Sequence, residues 1–206
     1  MPAAPRPIGS LAARDPMPTA PHSMLTSAAA RRACILGLLV LLSPTVLAGA
    51  LPRELEVRQV KAAMVVNMLR FVTWPAPALS AQPIGIVVIG DPPLADALRE
   101  IAAATKVNGR ALTVKQAASV AELGDAPVAV VVVAPSYRPQ IASMARALEQ
   151  RGSLTIGDGA GLGEAGLMIS LYTDGDRVRF EANTGAAARA GITLSAHLLR
   201  LARIVG

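Results

Sequence analysis

Two continuous apolar runs, Ile84-Gly-Ile-Val-Val-Ile89 and Val128-Ala-Val-Val-Val-Val133, constrain this chain most. Strands without polar alternation are buried on both faces, and that is the habit of parallel sheets covered by helices on each side. The segments between them agree. Gly90-Asp91-Pro92-Pro93 turns the chain, and Leu94 to Ala103 reads as a helix. Asn108-Gly109 is a turn signal, Leu112 to Lys115 reads as a short strand, and Ser119 opens a brief helix that ends near Gly124. After Val133, a helix is expected from Arg138 to Gln150, followed by a third core strand, Leu154 to Ile156. Strand and helix in alternation define an α/β domain.

Both flanks add to this frame. Arg53 to Val72 has the apolar spacing of a long amphipathic helix, with Val57, Val60, Met64 and Phe71 on its stripe and Val65, Met68 and Val72 widening it. Asn67 falls within the stripe, where an unpaired amide costs about 1–3 kcal/mol. It therefore satisfies backbone groups or meets a partner protein. Trp74-Pro75 stops the helix, because a residue before proline avoids the helical region. Toward the other end, Leu167–Thr173 and Arg177–Ala182 flank Asp174-Gly175-Asp176 and read as a hairpin. Ile169 and Leu171 are expected to face Val178 and Phe180 in the core, with Arg177, Arg179 and Glu181 outward. Thr184 caps a short helix ending at Gly191, and a last helix spans Leu194 to Ile204. The expected architecture is a single α/β domain. Its mixed, mostly parallel sheet has about six strands and a C-terminal hairpin, and helices flank it.

Residues 1–50 read as a secretory leader. Arg31-Arg32 supplies positive charge, an apolar run follows from Ala33, and Ala48-Gly49-Ala50 is the small-x-small pattern that precedes cleavage. Signal n-regions are usually short, so the thirty residues before Arg31 suggest translation from Met24. Cys34 lies ahead of the apolar run, which argues against a lipoprotein. Ala30 stands where a twin-arginine signal carries Ser or Thr. A retained anchor needs about 20 apolar residues, and Pro44 interrupts a shorter run. The expected location is the periplasm, with the domain occupying residues 51–206.

Without the leader, much chemistry drops out. The leader holds four of the 20 basic residues and one of the 14 acidic ones, so residues 51–206 carry a net charge of only +3. That gives no electrostatic case for nucleic acid. Five aromatic residues are too few for a base-stacking platform. The single cysteine, Cys34, is in the leader, so no disulfide or thiolate site remains. One histidine is left, His197, on the flank of an apolar helical stripe, where a partly buried structural role is the ordinary one. Carboxylates are present, but most sit at turns or helix starts, where Asp caps. No catalytic set, metal site or cofactor is expected.

The stretch Gly157-Asp-Gly-Ala-Gly-Leu-Gly-Glu-Ala-Gly166 follows a late strand and leaves room for at most one helical turn. A dinucleotide fingerprint follows the first strand and opens a helix, and a P-loop needs Lys. This stretch reads instead as a flexible surface loop.

Several segments together resemble one family. Lys61-Ala-Ala-Met-Val-Val-Asn67-Met-Leu-Arg-Phe71-Val-Thr-Trp74-Pro75 resembles the opening motif of the YfiR family of periplasmic proteins. Ile86-Val-Val-Ile-Gly90-Asp91 is similar to its first strand and turn. Leu154-Thr-Ile-Gly-Asp158 with Gly166-Leu-Met-Ile169 resembles its late Gly-containing segment, and Arg177-Val-Arg-Phe-Glu-Ala-Asn183 with Ala190-Gly-Ile and Leu198-Leu-Arg-Leu-Ala202 its C-terminal signature. The resemblance runs over about residues 57–204. The chain departs from it at Met64, Val65 and Met68, where members often carry aromatics, and in having no cysteine pair.

The resemblance implies a periplasmic repressor that acts on an inner-membrane diguanylate cyclase through the enzyme's periplasmic sensor domain, lowering cyclic di-GMP signalling and biofilm formation. Asn67, Phe71 and Trp74, with Arg177 and Arg179 on the hairpin, are the candidate partner-binding residues; core packing is the ordinary alternative for Phe71 and Trp74. A second reading is a small-ligand binder, with Gly90, Asp91, Asp158 and Gly159 forming a pocket at the carboxyl ends of the strands. An exported carboxylate enzyme and a structural role are the remaining readings. An exposed part of the first helix is compatible with a homodimer.

Overall fold

The computed structural model describes residues 50–75 and 83–206. Apart from Ala50, the expected leader and its start at Met24 lie outside the described residues.

Seven strands form the main sheet: β2 (Ile84–Ile89), β3 (Leu112–Ala117), β4 (Val130–Val133), β5 (Leu154–Asp158), β6 (Ile169–Asp174), β7 (Arg177–Asn183) and β9 (Arg203–Val205), in the order β3-β2-β4-β5-β6-β7-β9. All neighbours run parallel except the β6–β7 hairpin. A small antiparallel pair lies apart, β1 (Val72–Thr73) with β8 (Thr193–Leu194). The helices are α1 (Ala50–Met68), α2 (Pro92–Ala104), α3 (Ile141–Glu149), α4 (Thr184–Arg189) and α5 (Ala196–Leu199). The α/β class and mostly parallel sheet match the expectation, with seven strands in place of about six.

Pattern and packing agree in the centre. Every residue of β4 is buried, and so is all of β2 except half-buried Gly85. One core holds Ile86, Val88, Val130, Val132 and Ile156 against α1 and α2. The other holds Val87, Ile89, Val131 and Val133 against Ile141 and Leu148 of α3 and Leu162 and Leu167 of the Gly-rich loop. Local chemistry places the breaks. The Asp91 carboxylate accepts the Leu94 N–H at 3.0 Å and caps α2, whose first two positions are prolines. Asn108 and Gly109 take left-handed conformations in the turn before β3.

Several expectations are corrected. The first helix does not run to Val72: it ends at Met68, a 3-10 turn covers Leu69–Phe71, and Val72–Thr73 pair with Leu194 and Thr193. Its buried face is Ala62, Val65, Val66 and Leu69, so Val60 is 47% exposed and Asn67 is exposed rather than buried in the stripe. The helical period holds while the buried phase differs, because two apolar faces overlap on α1. The last helix is only four residues long. The Ser195 hydroxyl accepts the Leu198 N–H at 3.3 Å, and the chain then leaves the helix to lie beside β7 as β9. Consequently His197 is exposed, its ring 5.0 Å from that of Phe71. The short helix before Gly191 is capped by Asn183, whose side chain accepts the Ala186 N–H at 2.8 Å, and not by Thr184.

The remaining two corrections concern Glu181 and the Gly-rich stretch. Glu181 is fully buried. Strand alternation did put it opposite Phe180, but the loop 159–166 folds over that second face. This loop is pinned and not merely a surface excursion. Gly159 N–H donates to Leu171 O at 2.7 Å, Gly161 N–H to Glu181 Oε1 at 3.2 Å, and Asn183 Nδ2 to Gly163 O at 2.8 Å. Leu162 is fully buried beneath it. At Gly157, on the strand below, a Cβ would sit 2.5 Å from Leu167 Cδ1 and 2.7 Å from Leu162 Cδ1. The glycine there lets the loop close.

Candidate functional site

In an open α/β sheet the carboxyl ends of the parallel strands converge on a crevice. Here β2 delivers Asp91 and β5 delivers Asp158 to one cleft of about 560 Å³, lined also by Arg53, Val57, Arg58 and Lys61 of α1. Lys61 precedes buried Ala62, so its stem leaves the core and its ammonium reaches the cleft floor. Lys61 Nζ donates to both Asp158 oxygens, at 2.6 and 2.8 Å, and the two side chains are only 15% and 13% exposed. A pair so withdrawn from water is held by mutual neutralisation, and either partner alone would be a poorly solvated charge. The cleft thus presents both signs of charge beside an apolar wall. It offers sites for a ligand's polar groups and no nucleophile–base arrangement.

Gly90 and Gly159 play backbone parts. Gly90 has φ +82°, and a Cβ there would lie 2.4 Å from the Tyr137 ring, whose hydroxyl donates to Ala118 O at 2.7 Å. It lines a neighbouring groove with Asp91 and Tyr137. The Gly159 carbonyl accepts the Ser170 hydroxyl, and its N–H is bound to β6. Of the four residues proposed for a ligand, Asp91 and Asp158 therefore share this cleft with Lys61 and Arg58. Lys61 and Arg58 were absent from the candidate set, although Lys61 opens the motif that carried the resemblance.

The five partner-binding candidates fall into two groups. Phe71 and Trp74 are half-buried where the strands begin: Trp74 Nε1 donates to Ala129 O at 3.0 Å, just ahead of β4. The Phe71 carbonyl accepts the Ser195 N–H at 2.9 Å. Both residues fasten the end of α1 to the domain, and Asn67 lies exposed one turn before them. Arg177 and Arg179 are exposed on the hairpin at the opposite end of the sheet; Arg179 Nε lies 2.8 Å from Asp174 Oδ2. Arg53 of α1 reaches Asp176 in the hairpin turn, tying that turn to the cleft. Behind the hairpin, Arg203 of β9 donates to Glu181. That hydrogen bond, and next the Glu181 charge, raise the Arg203 pKa above its ordinary value. Arg203 and Glu181 were not candidates. No local signal marks them, because their meeting depends on β9 being a strand.

The fold is an open, mostly parallel α/β domain with helices on both faces of the sheet and a crevice at the strand carboxyl ends. Residues 58–203 match the model of the YfiR/HmsC-like family, and the chain belongs to that family. Among solved structures, the ABC domain from Streptococcus pneumonia in complex with L-Trp is similar at 13% identity, over 70% of this chain and 60% of that one, with a TM-score of 0.52. A conserved domain protein from Vibrio cholerae O1 biovar El Tor N16961 aligns at 18% identity over 72% of this chain and 60% of that one, with a TM-score of 0.49. The chain therefore spans about 60% of the length of each. No curated relative matches the chain. Among the described residues no helix is long and apolar enough to cross a membrane.

Proposed function

We propose that this protein is an exported repressor that binds the periplasmic sensor domain of an inner-membrane diguanylate cyclase and lowers cyclic di-GMP production. The observation that carries this reading is the family match over residues 58–203, which spans almost the whole described domain. Repression of this kind is preferential binding. A protein that prefers the inactive receptor conformation by about 2 kcal/mol shifts its equilibrium about thirtyfold. The hairpin arginines Arg177 and Arg179 supply an exposed cationic face for that contact. The test is binding of purified residues 51–206 to the isolated periplasmic domains of the host's membrane diguanylate cyclases. One of them is expected to bind, and to bind at least fivefold more weakly to Arg179→Glu. Failure of every such domain to bind would remove the reading.

The cleft favours a second, compatible reading, a small ligand that tunes the repressor. Asp158 at the carboxyl end of β5, with Lys61 and Arg58 of α1, supports a ligand bearing charged groups of both signs. The expected result is a ligand-induced rise in Tm that Lys61→Ala abolishes. A rise retained in that variant would put the ligand elsewhere.

A further inference from the structure

Helix α1 carries a second face that its own domain does not bury. Its core side is Ala62, Val65, Val66 and Leu69. On the other side Glu56, Val60, Ala63, Asn67 and Arg70 follow one another at alternating steps of four and three residues, the spacing of a two-helix seam. Glu56, Val60, Asn67 and Arg70 are exposed, Val60 to 47%, and Ala63 and its neighbour Met64 are half-buried. The flanks of this face have partners within the domain. Gln59 Nε2 donates to Glu100 of α2 at 3.2 Å, and Arg53 is paired with Asp176 of the hairpin turn. The two charges on the seam are not so committed. Arg70 Nη2 reaches only the Lys106 carbonyl, at 3.4 Å, and among the described residues neither Glu56 nor Arg70 stands in an ion pair.

Those two charges say what fits the seam. Glu56 lies seven residues before Ala63 and Arg70 seven after it, about 10 Å along a helix in each direction. Two copies of α1 laid parallel would set Glu56 beside Glu56 and Arg70 beside Arg70, and like charges so placed are costly. Laid antiparallel about a two-fold axis at Ala63, they set Glu56 of each copy beside Arg70 of the other. The symmetry makes this contact twice, as a self-complementary patch requires. We infer that the outer face of α1 is a docking surface for a second copy of this chain, the two helices crossing antiparallel at Ala63.

The remaining seam residues fit this arrangement. The small Ala63 side chain at the crossing permits a close approach of the two helix axes. Val60 and Met64 of each copy surround it and form the apolar centre. Asn67 comes level with Val60 of the other copy, and a polar residue in a seam fixes orientation at a cost in stability. The dimer is therefore weak and concentration-dependent. Arg177 and Arg179 alternate with Val178 and Phe180, and Phe180 lies in the core that contains α1, so both arginines stay free on the far face of β7.

Sedimentation equilibrium of residues 51–206 tests the inference. The unaltered chain is expected to dimerise. Glu56→Arg and, separately, Arg70→Glu set like charges together at both ends of the seam, and each is expected to weaken the dimer about tenfold. Both positions are exposed, so Tm is expected to hold. The double variant Glu56→Arg with Arg70→Glu restores opposite charges and is expected to return to within about threefold of the parent, the coupling that a double-mutant cycle detects. A parent that stays monomeric at millimolar concentration, a dimer that neither single variant weakens, or a double variant no tighter than the single ones would overturn the inference.

Discussion

At the scale of single residues, the domain is held by side chains whose partners lie far away in sequence. Lys61 and Asp158 are the clearest pair. Lys61→Ala leaves a carboxylate that is only 13% exposed without its ammonium, and is expected to destabilise the domain by about 2 kcal/mol in urea unfolding, below the usual 3–5 kcal/mol for a fully buried pair. An unchanged midpoint would mean that water already screens the pair. Gly157→Ala drives a Cβ against Leu162 and Leu167, and overpacking of this kind costs about 1–3 kcal/mol. Trp74→Phe removes the N–H donated to Ala129 O. That carbonyl also accepts the Leu154 N–H, so it is not orphaned and the loss is expected near 1 kcal/mol. What the sequence made visible here was residue type at turns: Asp91, Asn108 and Gly109 do what their chemistry suggests. Lys61 opposite Asp158 and Arg203 opposite Glu181 were not visible, because such pairs are set by which strands become neighbours.

At the scale of elements, legibility followed the strength of the pattern. The buried strands β2, β4 and β5 and the hairpin were legible because apolar runs and the Asp-Gly turn leave few alternatives. The C-terminal segment was not. Leu194, Leu198 and Leu201 recur at helical spacing, yet Leu201 is 68% exposed and the chain turns into β9. A three-residue strand carries too little pattern to compete with a helical reading, and only the free edge of β7 decides it. The hairpin carries the elementary prediction about function. Arg179 is exposed and is bridged to exposed Asp174, and surface pairs of this sort contribute less than about 1 kcal/mol. Arg179→Glu should therefore leave Tm within a degree or two while weakening receptor binding. A variant that unfolds, or one that binds as well as the parent, would remove the hairpin from the contact surface.

At the scale of the whole molecule, two ends of the sheet have different work. Where the strands begin, Phe71, β1 and β8 fasten α1 to the C-terminal segment, and Trp74 fastens it to the start of β4. Where they end, the mixed-charge cleft and the hairpin arginines stand side by side, joined through Arg53 and Asp176. A ligand in the cleft and a receptor on the hairpin would thus meet through α1, which gives a physical route by which one tunes the other. Repression from the periplasm would show in cellular cyclic di-GMP. It would be measured in a strain lacking this protein and in the same strain restored with either the full chain or residues 51–206 alone. A rise on deletion that only the exported full chain reverses is expected. No rise, or reversal by the copy without a leader, would contradict it.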